Sequence, residues 1–395
     1  MKRKTVLQRI VLLIVPLLLA VSLCSCSGIA VFLLKNATQN TKPTAETQTE
    51  QNQKPTGNTD PSLYHQNAEE VITRSDTAPT EHGSAGDNVF SVSEVVKKAQ
   101  DSVVQIYIST GAYGSTSAGS GVIVSAKYGY ILTCNHVVSG ANTIVVELSD
   151  NTQYTAKLVG ADASTDLAVV KIEPEEDRPL TAAIQGNSAG LITGEYVVAI
   201  GNPLGTLGGS VTQGIISATE RQIQISNDDG TSTVMTLIQT DAAINSGNSG
   251  GGLFNLKGEL IGIVNAKYAR TGVEGLGFAI PIDTAHPIEL DLIEAGYVRG
   301  RVDDGLELGY RYIIYGGMFQ RQAEGIYVNS SKFTNELQAD DRVLSINGVT
   351  VNDLEKYDTE LKKYQIGDVI TISYSRNNVT GTVEITLQEY KPEGK

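Results

Sequence analysis

Gly247-Asn248-Ser249-Gly250-Gly251-Gly252, running into Leu253-Phe254 and then Leu260-Ile261-Gly262-Ile263-Val264, is the stretch on which the reading of this 395-residue chain turns. A serine set among glycines has bare backbone on both sides. A carbonyl can approach its hydroxyl, and N–H groups can converge on the oxygen that becomes charged. In that reading Ser249 attacks, and the backbone of Gly247, Asn248 and Ser249 forms the oxyanion loop, with the N–H groups of Gly247 and Ser249 as donors. The same residues also suit a tight turn between two strands. Partners elsewhere in the chain must separate the two.

A hydroxyl nucleophile needs a base, and the chain offers four histidines, His65, His82, His136 and His286. His65 and His82 lie in a polar, low-complexity stretch that cannot hold a ring rigidly. His286, in Asp283-Thr284-Ala285-His286-Pro287, reads as a surface histidine at the start of a helix or linker. His136 ends the strand-like run Gly129-Tyr130-Ile131-Leu132-Thr133 and precedes Val137-Val138, so a scaffold can fix its imidazole. A carboxylate is then needed to set the tautomer and stabilise the charged ring. Asp166 opens Leu167-Ala168-Val169-Val170-Lys171-Ile172, and Asp162 is its near competitor. The order His, Asp, Ser matches one of the convergent triad orders.

Composition favours strands and turns. Glycine is abundant at 40 residues, tryptophan is absent, and short Val/Ile runs such as Ser102–Ile108 and Thr143–Leu148 are punctuated by Gly, Asn and Asp. Helical patterns are few; Val92–Ala99 is one, with a serine able to cap it. The length calls for two folded units with accessory segments. Three cysteines, two of them in one apolar segment, leave no structural disulfide elsewhere. The spacing suits no zinc, calcium or phosphate-loop site, so no metal and no cofactor is expected.

The N-terminus has its own logic. Lys2, Arg3, Lys4 and Arg9 precede an uncharged apolar stretch from Ile10 to Leu34, which as a helix would run roughly 37 Å, enough to cross a bilayer. The flanking positive charge places that end in the cytoplasm and the remainder outside, as a single-pass signal anchor. The rival is lipoprotein processing before Cys26, but the apolar run continues past it through Gly28–Leu34 where a polar tether normally follows. Residues 36–88 are rich in Thr, Gln, Asn, Pro and Ser, cannot bury a core, and read as a tether spanning roughly 40 Å. Setting aside the four basic charges of the tail moves the formal net charge from −14 to −18. Such a surface is repelled by phosphate backbones, which excludes nucleic acid as a partner.

Several motifs, taken together, resemble the HtrA/DegP family of serine proteases. These are Ile131–Val138, Asp166–Val169, Gly201-Asn202-Pro203-Leu204-Gly205, Gln239–Asn245, Gly247–Gly251 and Gly277-Phe278-Ala279-Ile280-Pro281, in the family's order, and the likeness covers roughly residues 89–390. The resemblance implies a mainly β fold: a trypsin-like double six-stranded β-barrel over 89–295, then a PDZ domain over 300–390, behind the membrane anchor at 1–35. It implies His136 as base, Asp166 as orienting acid and Ser249 as nucleophile, with unfolded proteins as substrates and homotrimers formed through the N-terminal part of the protease domain around Phe90. Cys134 departs from the family's usual asparagine and reads as a small apolar filler.

Specificity follows from the same comparison. Trypsin-like enzymes that cut after Lys or Arg carry an aspartate six residues before the serine, and here that position is Ala243. Val264, Asn265 and Ala266 are expected to form one wall of the pocket, so cleavage is expected after Val, Ala or similar residues. Asn248 replaces the aspartate that pairs with a new N-terminus in chymotrypsin-type zymogens. Activation is therefore expected to use the loops around Gly201–Gly209 and Gln222–Thr233. In the PDZ-like region, Leu308-Gly309-Tyr310 is the candidate carboxylate-binding loop for C-terminal peptides. The match is looser there: Asn335-Glu336-Leu337 replaces Ala-Gly-Leu, and Asp340-Asp341 replaces Gly-Asp. A scaffold or chaperone that keeps barrel and groove but cuts nothing is the alternative from a different class.

If residues 10–34 are an uncleaved anchor, mass spectrometry of the membrane-extracted protein will find the cationic N-terminus intact. A mature chain beginning at Cys26 would contradict it.

Overall fold

A computed structural model describes residues 60–75, 90–110, 115–201, 210–226, 232–245, 247–266, 275–315 and 320–392. The expected membrane segment, most of the tether and nearly all of the expected loop Gly201–Gly209 lie outside these residues; the other loop expected to control activation is corrected, since Gln222–Ser226 and Ser232–Thr233 are paired strand and only 227–231 lie outside. Among the described residues no helix is long and apolar enough to cross a membrane.

Two closed six-stranded barrels follow one another. The first comprises β1 (Val103–Thr110), β2 (Ser115–Ser125), β3 (Tyr130–Cys134), β4 (Thr143–Glu147), β5 (Gln153–Asp162) and β6 (Leu167–Lys171), in the order β1-β2-β3-β6-β5-β4. The second comprises β7 (Tyr196–Gly201), β8 (Ser210–Ser226), β9 (Ser232–Thr240), β10 (Gly252–Asn255), β11 (Leu260–Val264) and β12 (Gly277–Pro281), in the order β10-β11-β12-β9-β8-β7. Burial explains why the sequence reads as it does. β1 alternates inward and outward, whereas every residue of β3 and β11 is buried, which is why those strands are continuous apolar runs. Closure leaves neither sheet an edge that invites another strand.

Helices are few. In α1 (Val92–Ala99) the Glu94 carboxylate accepts from both the N–H and the hydroxyl of Ser91, a cap that fixes where the turn begins. α2 is the single turn Asn135–Val138. α3 (Ile282–Ala295) follows β12, packs on β5, β6 and β11, and ends at Gly296 with φ of 78°. That end comes so close to the first barrel that a Cβ on Gly160 would stand 2.6 Å from the Gly296 carbonyl oxygen.

The C-terminal domain is a sheet in the order β14-β15-β16-β18-β19, with β17 paired to β16 and a short β13–β20 pair beside it. The ranges are β13 Val302–Asp303, β14 Leu306–Tyr315, β15 Gln320–Ser331, β16 Arg342–Ile346, β17 Val349–Thr350, β18 Val369–Arg376, β19 Val379–Thr386 and β20 Gln388–Glu389. α4 (Leu354–Leu361) covers it, capped by the Asp353 carboxylate on Lys356 N–H. Its core, which includes Ile326, Val328, Ile346, Ile370, Ile372 and Ile385, is separate from that of the barrels.

A second expectation is corrected. Residues 60–75 are not tether: Leu63 and Ala68 are fully buried and Ile72 nearly so, packed with the core of the barrels. Tyr130 Oη donates to the Leu63 carbonyl at 2.9 Å, Ser75 N–H to Gln185 at 2.7 Å, and Arg74 pairs with Asp283 on α3. Three apolar side chains suffice because they complete an existing core and need not build one. His65, expected to be loose, stacks edge-on against Tyr128 with centroids 4.5 Å apart. Leu63→Ala should therefore cost about 2–4 kcal/mol and lower the midpoint of thermal unfolding. No shift in that midpoint would show that the segment is not seated.

Candidate active site

Asp166 sits at the turn between β5 and β6 with φ of 56°, a left-handed conformation that aspartate tolerates better than most residues. That turn aims its carboxylate at α2. Asp166 Oδ1 accepts from the His136 backbone N–H at 2.9 Å, and Oδ2 pairs with His136 Nδ1 at 2.7 Å. The Asp166 carbonyl accepts from Asn135 N–H at 2.9 Å. The ring is thus held from two sides while buried Val137 and Val138 pin its turn to the barrel. Asp166 is only 3% exposed, so burial alone would raise its pKa; hydrogen bonds from His136 and Asn265 outweigh that and hold it below the usual carboxylate range. An ionised Asp166 accepts a hydrogen bond from Nδ1–H, which leaves the Nε2 lone pair as the base.

Asn265 was expected in the wall of the specificity pocket, and its side chain is elsewhere. It is fully buried and donates Nδ2–H to Asp166 Oδ2 at 2.8 Å, a third hydrogen bond on the carboxylate, from the second barrel. The next residue, Ala266, donates its N–H to Ser249 Oγ at 3.0 Å. Two consecutive residues after β11 therefore touch the acid and the hydroxyl.

Ser249 lies on the turn before β10. Asn248 N–H donates to the Asn245 carbonyl at 3.0 Å and Gly251 N–H to that of Asn248 at 2.9 Å. Among the described residues the N–H groups of Gly247 and Ser249 donate to no protein acceptor. Of the three residues read as the oxyanion loop, Asn248 is thus excluded as a donor, because its N–H is already used in the turn. Gly250 adopts φ of 85° and its missing Cβ leaves room for the Ser120 carbonyl, so no other residue fits. The first barrel straps this turn down: Ser120 N–H donates to the Ser249 carbonyl and Ser120 Oγ to that of Gly247, both at 2.8 Å, while Thr133 Oγ1 holds Ser120 at 2.7 Å. Ser249 is 5% exposed, and among the described residues no hydrogen bond joins its hydroxyl to His136.

The remaining sequence readings divide. Val264 is buried in the second barrel's core, leaving Ala266, half-buried, and Ala243, exposed, at the surface near the serine turn. Cys134 is fully buried and its Sγ–H donates to the Val264 carbonyl at 3.4 Å. Its sulfur, His136 and Asp166 bring ligand atoms within 4.8 Å of one another, but both Asp166 oxygens already serve the hydrogen bonds above. Asp162 faces away, gripping Arg301 and Thr165 at the junction with the C-terminal domain. His286 is corrected from surface to buried: at 6% exposure on α3 it lies between Glu69 and the fully buried Glu289. Burial pushes the Glu289 carboxyl up. Leu308, Gly309 and Tyr310 form no loop; they pair with Val328, Tyr327 and Ile326 in mid-strand β14.

Sequence reasoning missed Ser120, Thr133 and the true orientation of Asn265. The one available signal was Asn265 itself, an amide ending an otherwise apolar, fully buried run. Asp166→Asn should lower peptide hydrolysis by roughly 10⁴ through loss of the correct tautomer, and Asn265→Ala by roughly tenfold through loss of one hydrogen bond to a charged group. Asp162→Asn and Cys134→Ser should leave the basal rate of hydrolysis of short peptides nearly unchanged. Equal losses in Asp162→Asn and Asp166→Asn would contradict this assignment.

Comparison with known proteins agrees with the architecture. Residues 119–263 match the trypsin-like peptidase domain and residues 316–387 the PDZ domain. The chain is 38% identical over 291 residues to the serine protease Do-like HtrA of Bacillus subtilis, covering 69% of this chain and 64% of that one. It is 38% identical over 281 residues to the periplasmic serine endoprotease DegP of Salmonella typhimurium, covering 69% and 57%. The chain thus spans less than two thirds of either relative. Among solved structures, the HtrA-type protease AlgW with a tripeptide aligns at 34% identity with a TM-score of 0.51, over 76% of this chain and 98% of that one. With two barrels, a PDZ domain and these relatives, the chain belongs to the HtrA/DegP family of trypsin-like serine proteases.

Proposed function

We propose that this chain is a membrane-anchored serine endopeptidase that cleaves unfolded or misfolded proteins outside the cytoplasm. The observation that carries the reading is the buried Asp166 carboxylate bound to His136, with Ser249 one hydrogen bond away from the residue next to Asn265. In the reacting state Ser249 Oγ–H donates to His136 Nε2. His136 then removes the hydroxyl proton as the oxygen attacks the scissile carbonyl, and the N–H groups of Gly247 and Ser249 receive the developing oxyanion. The imidazolium, stabilised by Asp166, returns its proton to the leaving amine. Water attacks the acyl-enzyme by the same route in reverse.

The rest of the reading follows from sequence and chemistry. Ala243 brings no charge toward the residue preceding the cut, which supports cleavage after small aliphatic side chains. The apolar segment 10–34 supports single-pass anchoring with the catalytic domain outside. The family supports homotrimers, although the Phe90 ring is covered within the chain by Lys98 at 5.3 Å. Regulation by the PDZ domain is supported by Arg301, at its entrance, which binds Asp162 four residues before the triad acid. The alternative of a non-cutting scaffold draws on one observation, the engagement of Ser249 Oγ by Ala266 N–H. In the endopeptidase reading this is a resting state.

The full-length protein in detergent should degrade casein, and Ser249→Ala should abolish it. Matched peptides with Val at the cut site should be hydrolysed at least tenfold faster than those with Arg, since a missing counter-ion leaves the buried guanidinium unpaired. Casein loss that survives Ser249→Ala, or efficient cutting after Arg, would refute the proposal.

A further inference from the structure

The turn that carries Ser249 belongs to the second barrel, yet a side chain of the first holds it. Ser120, on β2, is fully buried, and its hydroxyl donates to the Gly247 carbonyl at 2.8 Å. A buried hydroxyl persists in a packed strand only where it has a partner, and this one has found it in the other barrel. The backbone of Ser120 is committed as well. Its N–H donates to the Ser249 carbonyl at 2.8 Å, and its carbonyl accepts from Thr133 Oγ1 at 2.7 Å. Thr133 is likewise fully buried, on β3, the strand whose end carries His136 into α2. Close packing around the pair leaves no slack: a Cβ on Gly250 would stand 2.1 Å from the Ser120 carbonyl oxygen and 2.3 Å from Thr133 Oγ1.

What the hydroxyl does follows from the peptide planes of the turn. The plane between Gly247 and Asn248 is tied at both ends, its carbonyl by Ser120 Oγ and its N–H by the Asn245 carbonyl at 3.0 Å. The plane between Asn248 and Ser249 is tied by its carbonyl, which accepts from Gly251 N–H at 2.9 Å. Both carbonyls are therefore turned to donors of the protein, and the N–H groups of Gly247 and Ser249 are left for a developing oxyanion. Gly247 itself resists nothing. At φ of 99° it has no Cβ to bar rotation into another conformation, so hydrogen bonds alone fix its carbonyl. Among the described residues, the tie from Ser120 is the one that a side chain supplies to these two planes. Without it the Gly247 carbonyl loses its donor, and a rotated plane presents a partly negative oxygen to the site where negative charge must form.

We propose that Ser120 is a positioning residue of the oxyanion hole: its hydroxyl keeps the Gly247 carbonyl turned from the substrate, and Thr133 holds Ser120 where it can do so. The inference rests on the reading of the chain as a serine peptidase and adds how the hole is kept open. Ser120 acts through the turn and not on the reacting atoms. Because Thr133 lies on the strand that ends at His136, the base and the hole take their positions from the same edge of the first barrel.

The test uses the full-length protein in detergent with two probes, a quenched fluorescent peptide with Val at the cut site and the matching peptide aldehyde. The aldehyde's adduct with Ser249 places a charged oxygen in the hole and so reports on it directly. Ser120→Ala should lower kcat roughly 10- to 100-fold while KM changes less than about twofold, since the tie matters to the transition state and not to the bound peptide. The aldehyde's inhibition constant should weaken by about the same factor as kcat/KM. A merely structural defect reduces the number of working molecules and leaves that constant where it was. Thr133→Val should repeat the pattern at about three- to tenfold, and Thr133→Ser, which keeps the hydroxyl, should stay within about twofold of the unsubstituted rate. This second pair decides the matter if Ser120→Ala does not fold. Unchanged kcat in Ser120→Ala, a kcat loss that aldehyde affinity does not follow, or equal losses in Thr133→Val and Thr133→Ser overturns the inference and leaves the peptidase reading intact. Hydrolysis that survives Ser249→Ala overturns both.

Discussion

The Asp166 carboxylate is the point on which the arrangement depends. It is buried, ionised and shared between the barrels: the first supplies His136 through both a backbone N–H and the ring, and the second supplies the amide of Asn265. A buried charge is tolerable only when its lone pairs are satisfied, and here that need forces the two barrels into one register. Ser120 and Ser249 repeat the tie from the opposite direction, with strand β2 holding the serine turn by two hydrogen bonds. Each barrel is closed in its own strand order. The reacting geometry exists only where they meet.

That division explains what the sequence revealed. His136 and Asp166 were readable because each stands at the mouth of a continuous apolar run, where an ionisable residue has no packing role. Ser249 was readable because glycines on both sides serve no strand. Asn265 and Ser120 were not, since their partners lie 99 and 127 residues away in the chain and no local pattern carries such a pairing. His286 misled for a related reason. Asp283–Pro287 reads as the start of a helix or linker with a surface ring; the helix is there, but α3 packs against both barrels and takes the ring inside. Segment 60–75 misled because apolar density measures the power to build a core, and Leu63, Ala68 and Ile72 only complete one.

The C-terminal domain shows a different case, a fold legible in outline with a local element misassigned. The resemblance implied the domain, and residues 316–387 match it. The resemblance makes Leu308–Tyr310 the candidate carboxylate-binding loop, and its place in a strand shows only once β15 lies beside it. In the structure Gly309 lies in that strand facing Asn329, and the chain turns earlier, at Asp303–Gly305, where two aspartates accept from the backbone N–H groups of Gly305 and Leu306.

The claim that Ser249 is made nucleophilic by His136, itself set by Asp166, is tested most directly by covalent labelling. The full-length protein is treated with a fluorophosphonate and digested, and the adduct is located by mass spectrometry. The account predicts a single phosphonylated residue, Ser249, and no adduct in His136→Ala. Labelling spread over other serines, or undiminished at Ser249 without His136, would contradict it.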